Sequence, residues 1–126
     1  MNEPVEVAIN VVGDVTGEKY RGVFKIKPRL SHRDTLMRDQ FRRDLLGKDA
    51  DMADPNAVNV AEVFSKIWAH TVESPMYWRE SNRGLDLLDE SPVVEIYKAI
   101  VAKEKEFIDA LKKAGEEAAK EIKPTP

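Results

Sequence analysis

The 126-residue sequence predicts an α+β fold, an N-terminal β-hairpin packed on about three helices with a long helix toward the C-terminal end. Three observations carry that prediction. Val5, Val7, Ile9 and Val11 alternate with other residues in the period-2 pattern of a half-buried strand. Four helix-start signals follow, each a capping residue placed before a proline or three residues before an acid. Charged residues make up 34% of the chain against an ordinary figure of about 25%, which favours long solvated helix faces over sheet.

Taken in order, Gly13-Asp14-Val15-Thr16-Gly17-Glu18 closes the first strand with turn chemistry. Tyr20, Phe24 and Ile26 then form a second strand that ends at Pro28. Ser31 and Asp34 have the spacing of a capping box, so a first helix starts there, with Met37, Phe41 and Leu45 as its apolar stripe and Gly47 as its stop. Asp34/Arg38 and Asp39/Arg43 stand four apart on its outer face. Asp54-Pro55 opens a second helix whose stripe runs through Ala57, Val60, Ala61, Phe64, Ile67, Trp68, Thr71 and Val72.

Ser74-Pro75 repeats the start signal before a short turn of helix at Met76-Tyr77-Trp78-Arg79, which Asn82-Arg83-Gly84 breaks. Leu85-Asp86-Leu87-Leu88 reads equally as a helical turn or a packed loop. Ser91-Pro92 starts the last helix, apolar at Val93, Ile96, Tyr97, Ile100, Phe107, Ile108 and Leu111. Phe64, Trp68, Ile96 and Ile100 are expected to share one core. Residues 1–111 are therefore expected to form one domain, and 112–126 a charged helical tail that frays, because its stripe holds little besides alanine and Gly115 weakens it.

Chemistry-bearing patterns are sparse. The chain has no cysteine and two histidines, His32 and His70, without metal-ligand spacing, so neither a metal nor another cofactor is expected. Asp49, Asp51 and Asp54 open like a calcium loop, but Ala53 and Val60 fall where oxygen ligands belong. There is no phosphate-binding glycine loop and no serine elbow. Acid pairs such as Asp89-Glu90 are adjacent, so on a helix they diverge by about 100°. No catalytic residue is expected, and the protein is read as a non-enzymatic binding module.

Charge is uneven. The net charge of −3 divides into −2 over residues 1–24, +5 over 25–48 and −6 over 49–126. The basic band, which includes Arg38, Arg42 and Arg43, suits an acidic partner better than nucleic acid, since aspartates interleave with it. Met76, Tyr77 and Trp78 form an aromatic cluster of the kind enriched at protein interfaces, with core packing as the alternative. The N-terminal residues lack the basic and apolar regions of a signal peptide, and no window suits a membrane span. A cytoplasmic address without membrane association is expected.

The runs Tyr20-Arg21-Gly22-Val23-Phe24-Lys25-Ile26-Lys27, Leu30-Ser31-His32-Arg33-Asp34, Asp39-Gln40-Phe41-Arg42-Arg43-Asp44-Leu45-Leu46-Gly47, Tyr77-Trp78-Arg79-Glu80-Ser81 and Gly84-Leu85-Asp86-Leu87-Leu88-Asp89 resemble small proteins of tailed bacteriophages, such as tail assembly chaperones and allied tail or virion proteins. The similarity spans residues 18–110. It implies a protein of the host cytoplasm that coats the long helical tape-measure protein and keeps it soluble until the tail tube polymerises. Met76, Tyr77 and Trp78 would then contact that partner, with Arg38, Arg42 and Arg43 guiding the encounter. The alternative is a structural virion protein of the tail or head-tail region whose hairpin pairs edge to edge with a neighbour; a homo-oligomer is also left open. A small DNA-binding regulator is the less favoured third reading.

Overall fold

A computed structural model describes residues 3–48 and 54–121, and the architecture is α+β. The alternating segment forms β1 (Val5–Val12), which pairs antiparallel with β2 (Lys19–Ile26) from Val5↔Ile26 to Val12↔Lys19. Val7 and Ile9 on β1 and Tyr20, Phe24 and Ile26 on β2 are buried on one face. Glu6 opposite Lys25 and Asn10 opposite Arg21 occupy the other, as in an antiparallel sheet solvated on one side.

The capping box of α1 (His32–Leu46) forms as its spacing predicts, with reciprocal Ser31 and Asp34 bonds. Asp54 caps α2 (Pro55–His70), with proline in its first turn. Asp49 and Asp51, the rest of the resemblance to a calcium loop, lie outside the described residues. The last helix, α4 (Ser91–Glu121), is 31 residues long and continues through Gly115.

Four sequence expectations are corrected. The sheet has three strands in the order β1-β2-β3, because α2 stops at His70 and Thr71–Glu73 turn away as β3 along β2. Two bonds fix that exit: the Lys27 N–H donates to the His70 carbonyl at 2.7 Å, and the His70 ring Nδ1 donates to the Lys27 carbonyl at 2.5 Å. Ser74 does not cap α3 (Met76–Glu80); Pro75 stands at its N-cap and no side chain caps it. No residue of α1 is buried, so its apolar stripe covers the flank of α2 instead of entering the core. Asp34 bonds to Lys27 at 3.0 Å in place of the expected Arg38.

The core joins Val7, Ile9, Phe24 and Ile26 of the sheet to Ile67 of α2, Trp78 of α3 and Val93, Ile96 and Ile100 of α4. Of the four residues expected to share it, Ile96 and Ile100 are fully buried and Phe64 packs at the margin. Trp68 instead stacks flat on Phe41 of α1, ring centres 4.6 Å apart. That stacked pair is an apolar tie of α1 to α2. Loss of the Ile96 side chain leaves a cavity among sheet and helices, so Ile96→Ala should cost about 2–5 kcal/mol in denaturant unfolding. Leu36→Ala, on the exposed face of α1, should stay within about 0.5 kcal/mol of the parent.

Candidate partner-binding groove

The segment between α3 and α4 is held by two aspartates working in opposite directions. Asp89, just ahead of α4, puts its carboxylate inside the β1–β2 turn. Its Oδ1 accepts the Val15 N–H at 2.7 Å and the Thr16 N–H at 2.8 Å, while Oδ2 accepts the Thr16 hydroxyl at 2.5 Å and the Tyr20 hydroxyl at 2.6 Å. Asp14, in that same turn, reaches back so that its Oδ1 accepts the N–H groups of Glu90 and Ser91 at 2.8 and 3.0 Å. Ser91 is therefore not the cap of its own helix. Its hydroxyl donates to the Val12 carbonyl at 2.8 Å, and Asp14 satisfies the orphan donors at the start of α4 from across the fold.

Close approach makes this clamp possible. At Gly13 any Cβ would collide with the Asp89 carboxylate, so glycine is needed there for space. Burial pushes the Asp89 carboxyl up, but the hydrogen bonds from Thr16, Tyr20 and Val15 outweigh it and hold the group well below the usual carboxylate range. The same bond from the Asp89 side, with burial, pushes the Tyr20 hydroxyl up to about 12.

With the C-terminal end of the segment fixed, Leu85, Leu87 and Leu88 lie over α2 and the first turn of α4. They enclose a groove of about 410 Å3 whose other walls are Val60, Val63 and Phe64 of α2 and Val93 and Val94 of α4. Its lip is apolar and open to solvent: Leu88 is 74% exposed, Val60 52% and Val94 41%. Asn59 and Glu90 supply the polar rim.

A second, smaller cleft of about 210 Å3 opens between α1, α2 and α3. Phe41, Phe64, Trp68 and Trp78 line it, with Arg79 and Arg83 at its edge, and the Arg83 guanidinium lies 5.8 Å from the Phe41 ring centre. Asn82 and Arg83 have positive φ values of 55° and 57°, and Gly84 one of 82°, which turns the chain tightly beneath Trp78. At Gly84 a Cβ would collide with the Trp78 ring.

The residues expected to bind a partner are divided by the structure. Trp78 is 3% exposed and packs edge-on against Phe24, ring centres 5.4 Å apart, so it is a core residue and not a surface anchor. Tyr77 is half-buried against Tyr20 and Phe24, and its hydroxyl is buried without a hydrogen bond. Met76 alone of the three is exposed. The physical reason is the helical turn of α3, which points Trp78 inward two residues after Met76 points out.

The basic band is largely engaged within the chain. Arg38 bonds to Glu62 at 3.1 Å, Arg42 to Asp39 at 3.0 Å and Glu62 at 3.4 Å, and Arg43 to Asp39 at 3.0 Å. Arg38 and Arg42 tie α1 to α2 and Arg43 pairs within α1, which engages them structurally and weakens their expected role as an electrostatic guide.

The two histidines stay apart. His32 is exposed at the start of α1, whereas His70 is fully buried between Lys27 and Glu104. With Nδ1 donating to Lys27, Nε2 faces the Glu104 carboxylate at 3.3 Å without a hydrogen bond, and Lys66 pairs with the same carboxylate at 3.0 Å. Burial lowers the His70 pKa, with the Lys66 charge acting the same way. Among the described residues, no group of three or more His, Cys, Asp or Glu side chains is placed to hold a metal ion, and no helix is long and apolar enough to cross a membrane.

Comparison with protein-family models, with curated proteins and with solved structures finds no match.

The clamp predicts a signature in acid and base. Because the folded-state pKa of Asp89 is lowered, its contribution to stability is complete above the unfolded carboxylate value of about 3.9 and is lost as pH falls through the lower folded value. Tyr20 has the opposite sign: its raised pKa means that stability declines as pH climbs from about 10 toward 12. Thermal melts across pH should show both limbs in the parent. In Asp89→Asn the acid limb should flatten and Tm at neutral pH should fall; an unchanged acid limb would mean that Asp89 is not the titrating group.

Proposed function

We propose that this protein is a non-enzymatic binding module that takes an apolar stretch of a partner protein, most simply one face of an amphipathic helix, into the groove between α2 and the start of α4. The observation that carries the reading is the lip of Val60, Leu88 and Val94, three large aliphatic side chains left in solvent around a concave apolar floor. Grooves between helices receive helical ligands through apolar side chains spaced three or four apart. Leu88 is held outward by a segment that the Asp14 and Asp89 bonds fix at its C-terminal end, so the exposure costs no ordering on binding.

The resemblance to phage tail assembly chaperones supports a finer form of this proposal, in which the partner is a long helical tape-measure protein kept soluble in the host cytoplasm before tail assembly. An aggregation-prone helical partner presents repeated apolar faces, which suits a groove of this kind. The structural virion protein is the second reading, favoured by the exposed edge of β1. Engagement of Arg38, Arg42 and Arg43 in ion pairs with Asp39 and Glu62 speaks against a DNA-binding regulator.

Co-expression with a long helical tape-measure protein tests the finer form. The partner should pass from insoluble to soluble and co-purify. Val60→Asp combined with Leu88→Asp should abolish co-purification, because charges in the lip oppose burial, while Tm stays within a few degrees since both side chains are exposed. A partner that remains insoluble, while this protein appears stoichiometrically in finished particles, would replace the chaperone reading with the structural one.

A further inference from the structure

β1 is an edge strand over all of Val5–Val12, and among the described residues only β2 pairs with it. The register identifies which backbone groups are left over. The Gly13 N–H donates to the Glu18 carbonyl at 2.7 Å, which makes that facing pair a hydrogen-bonded one. Bonded and non-bonded pairs alternate along an antiparallel ladder. Val11, Ile9, Val7 and Val5 therefore bond to β2, and the N–H and C=O groups of Glu6, Ala8, Asn10 and Val12 point away from the sheet. The Ser91 hydroxyl bonded to the Val12 carbonyl lies on that outward side. Glu6, Ala8 and Asn10 are themselves exposed.

We infer that this edge pairs with β1 of a second copy of the chain, antiparallel about a two-fold axis at Ala8, joining the two sheets into one. In that register Ala8 faces the partner's Ala8, Glu6 faces the partner's Asn10, and Val7 faces the partner's Ile9. Each Glu6 carboxylate meets an amide that can donate to it. The ends match as well: Pro4 has no N–H to give, and it falls opposite Val12, whose carbonyl Ser91 already occupies. The missing donor thus faces the used acceptor.

Neighbouring registers fit less well. A two-fold axis at Ile9 sets the Glu6 N–H against the occupied Val12 carbonyl, and an axis at Glu6 opposes two carboxylates, which destabilises a sheet pair. It is this self-complementarity that selects a second copy over an unrelated strand. Exposed edges of this length are otherwise blunted by charge, proline or bulges. An edge contact alone falls below the ~1,000 Å2 of a stable interface, so the dimer is weak and concentration-dependent.

Light scattering and amide hydrogen exchange, both across a concentration series of the full chain, test the pairing. The mass should rise from 14.3 kDa toward twice that value. The amides of Glu6, Ala8 and Asn10 should gain protection with concentration, while those of Val7, Ile9 and Val11 stay as protected as before. Asn10→Glu places a second carboxylate opposite the partner's Glu6 at both symmetry-related sites and should weaken the dimer about tenfold. Within the chain that substitution faces Arg21, so Tm should not fall. Ala8→Pro, which removes an outward N–H and no β1–β2 bond, should abolish the dimer. A chain that stays at 14.3 kDa throughout, a dimer whose Glu6, Ala8 and Asn10 amides gain no protection, or an Asn10→Glu dimer of unchanged affinity would each overturn the inference. So would protection of those amides that appears only when another protein is added.

Discussion

A buried carboxylate satisfied by neutral donors is the constraint on which the rest of the molecule depends. Asp89 sits in the hairpin turn with two backbone N–H groups and two hydroxyls around it, which is what an ionised group needs to tolerate burial. Asp14 returns the connection by capping α4. The two bonds sets cross between the same two segments, so the turn and the start of α4 are fixed relative to one another. Everything on either side inherits its position from them: β1 and β2 present Val7, Ile9 and Phe24 to α4, and the 85–88 segment is laid over α2.

That arrangement separates the two faces of interest. On one side the segment before α4 leaves Val60, Leu88 and Val94 in solvent around an apolar floor. On the other, the β1 edge carries outward backbone groups bounded by Pro4 and by a carbonyl that Ser91 has taken. Ser91 belongs to the clamp, so the same hydrogen-bond system that shapes the groove also sets where strand pairing must stop.

Much of the fold was legible because its signals are local. The alternation from Val5 to Val11, the Ser31/Asp34 box and Asp54-Pro55 each act within a few residues, and each produced the expected element. Thr71 and Val72 were not legible as strand, since they continue the helical stripe of α2, and the bonds between Lys27 and His70 that end the helix come from distant sequence. Composition leaves Trp78 open between interface and core, and the turn of α3 and the tight chain at Gly84 bury it. Nothing local singles out Asp89, because its partners lie 69 to 74 residues away and adjacency to Glu90 says nothing of them. The sequence around Gly13 suggests turn conformation, whereas its use is to admit a carboxylate.

The claim that a partner enters the α2–α4 groove is tested most directly by methyl NMR of the protein titrated with its helical partner or a peptide cut from it. The resonances of Val60, Leu88 and Val94 should shift together and saturably, while those of Leu36 on the exposed face of α1 stay in place. Shifts confined to α1, with the groove methyls unmoved, would contradict the account.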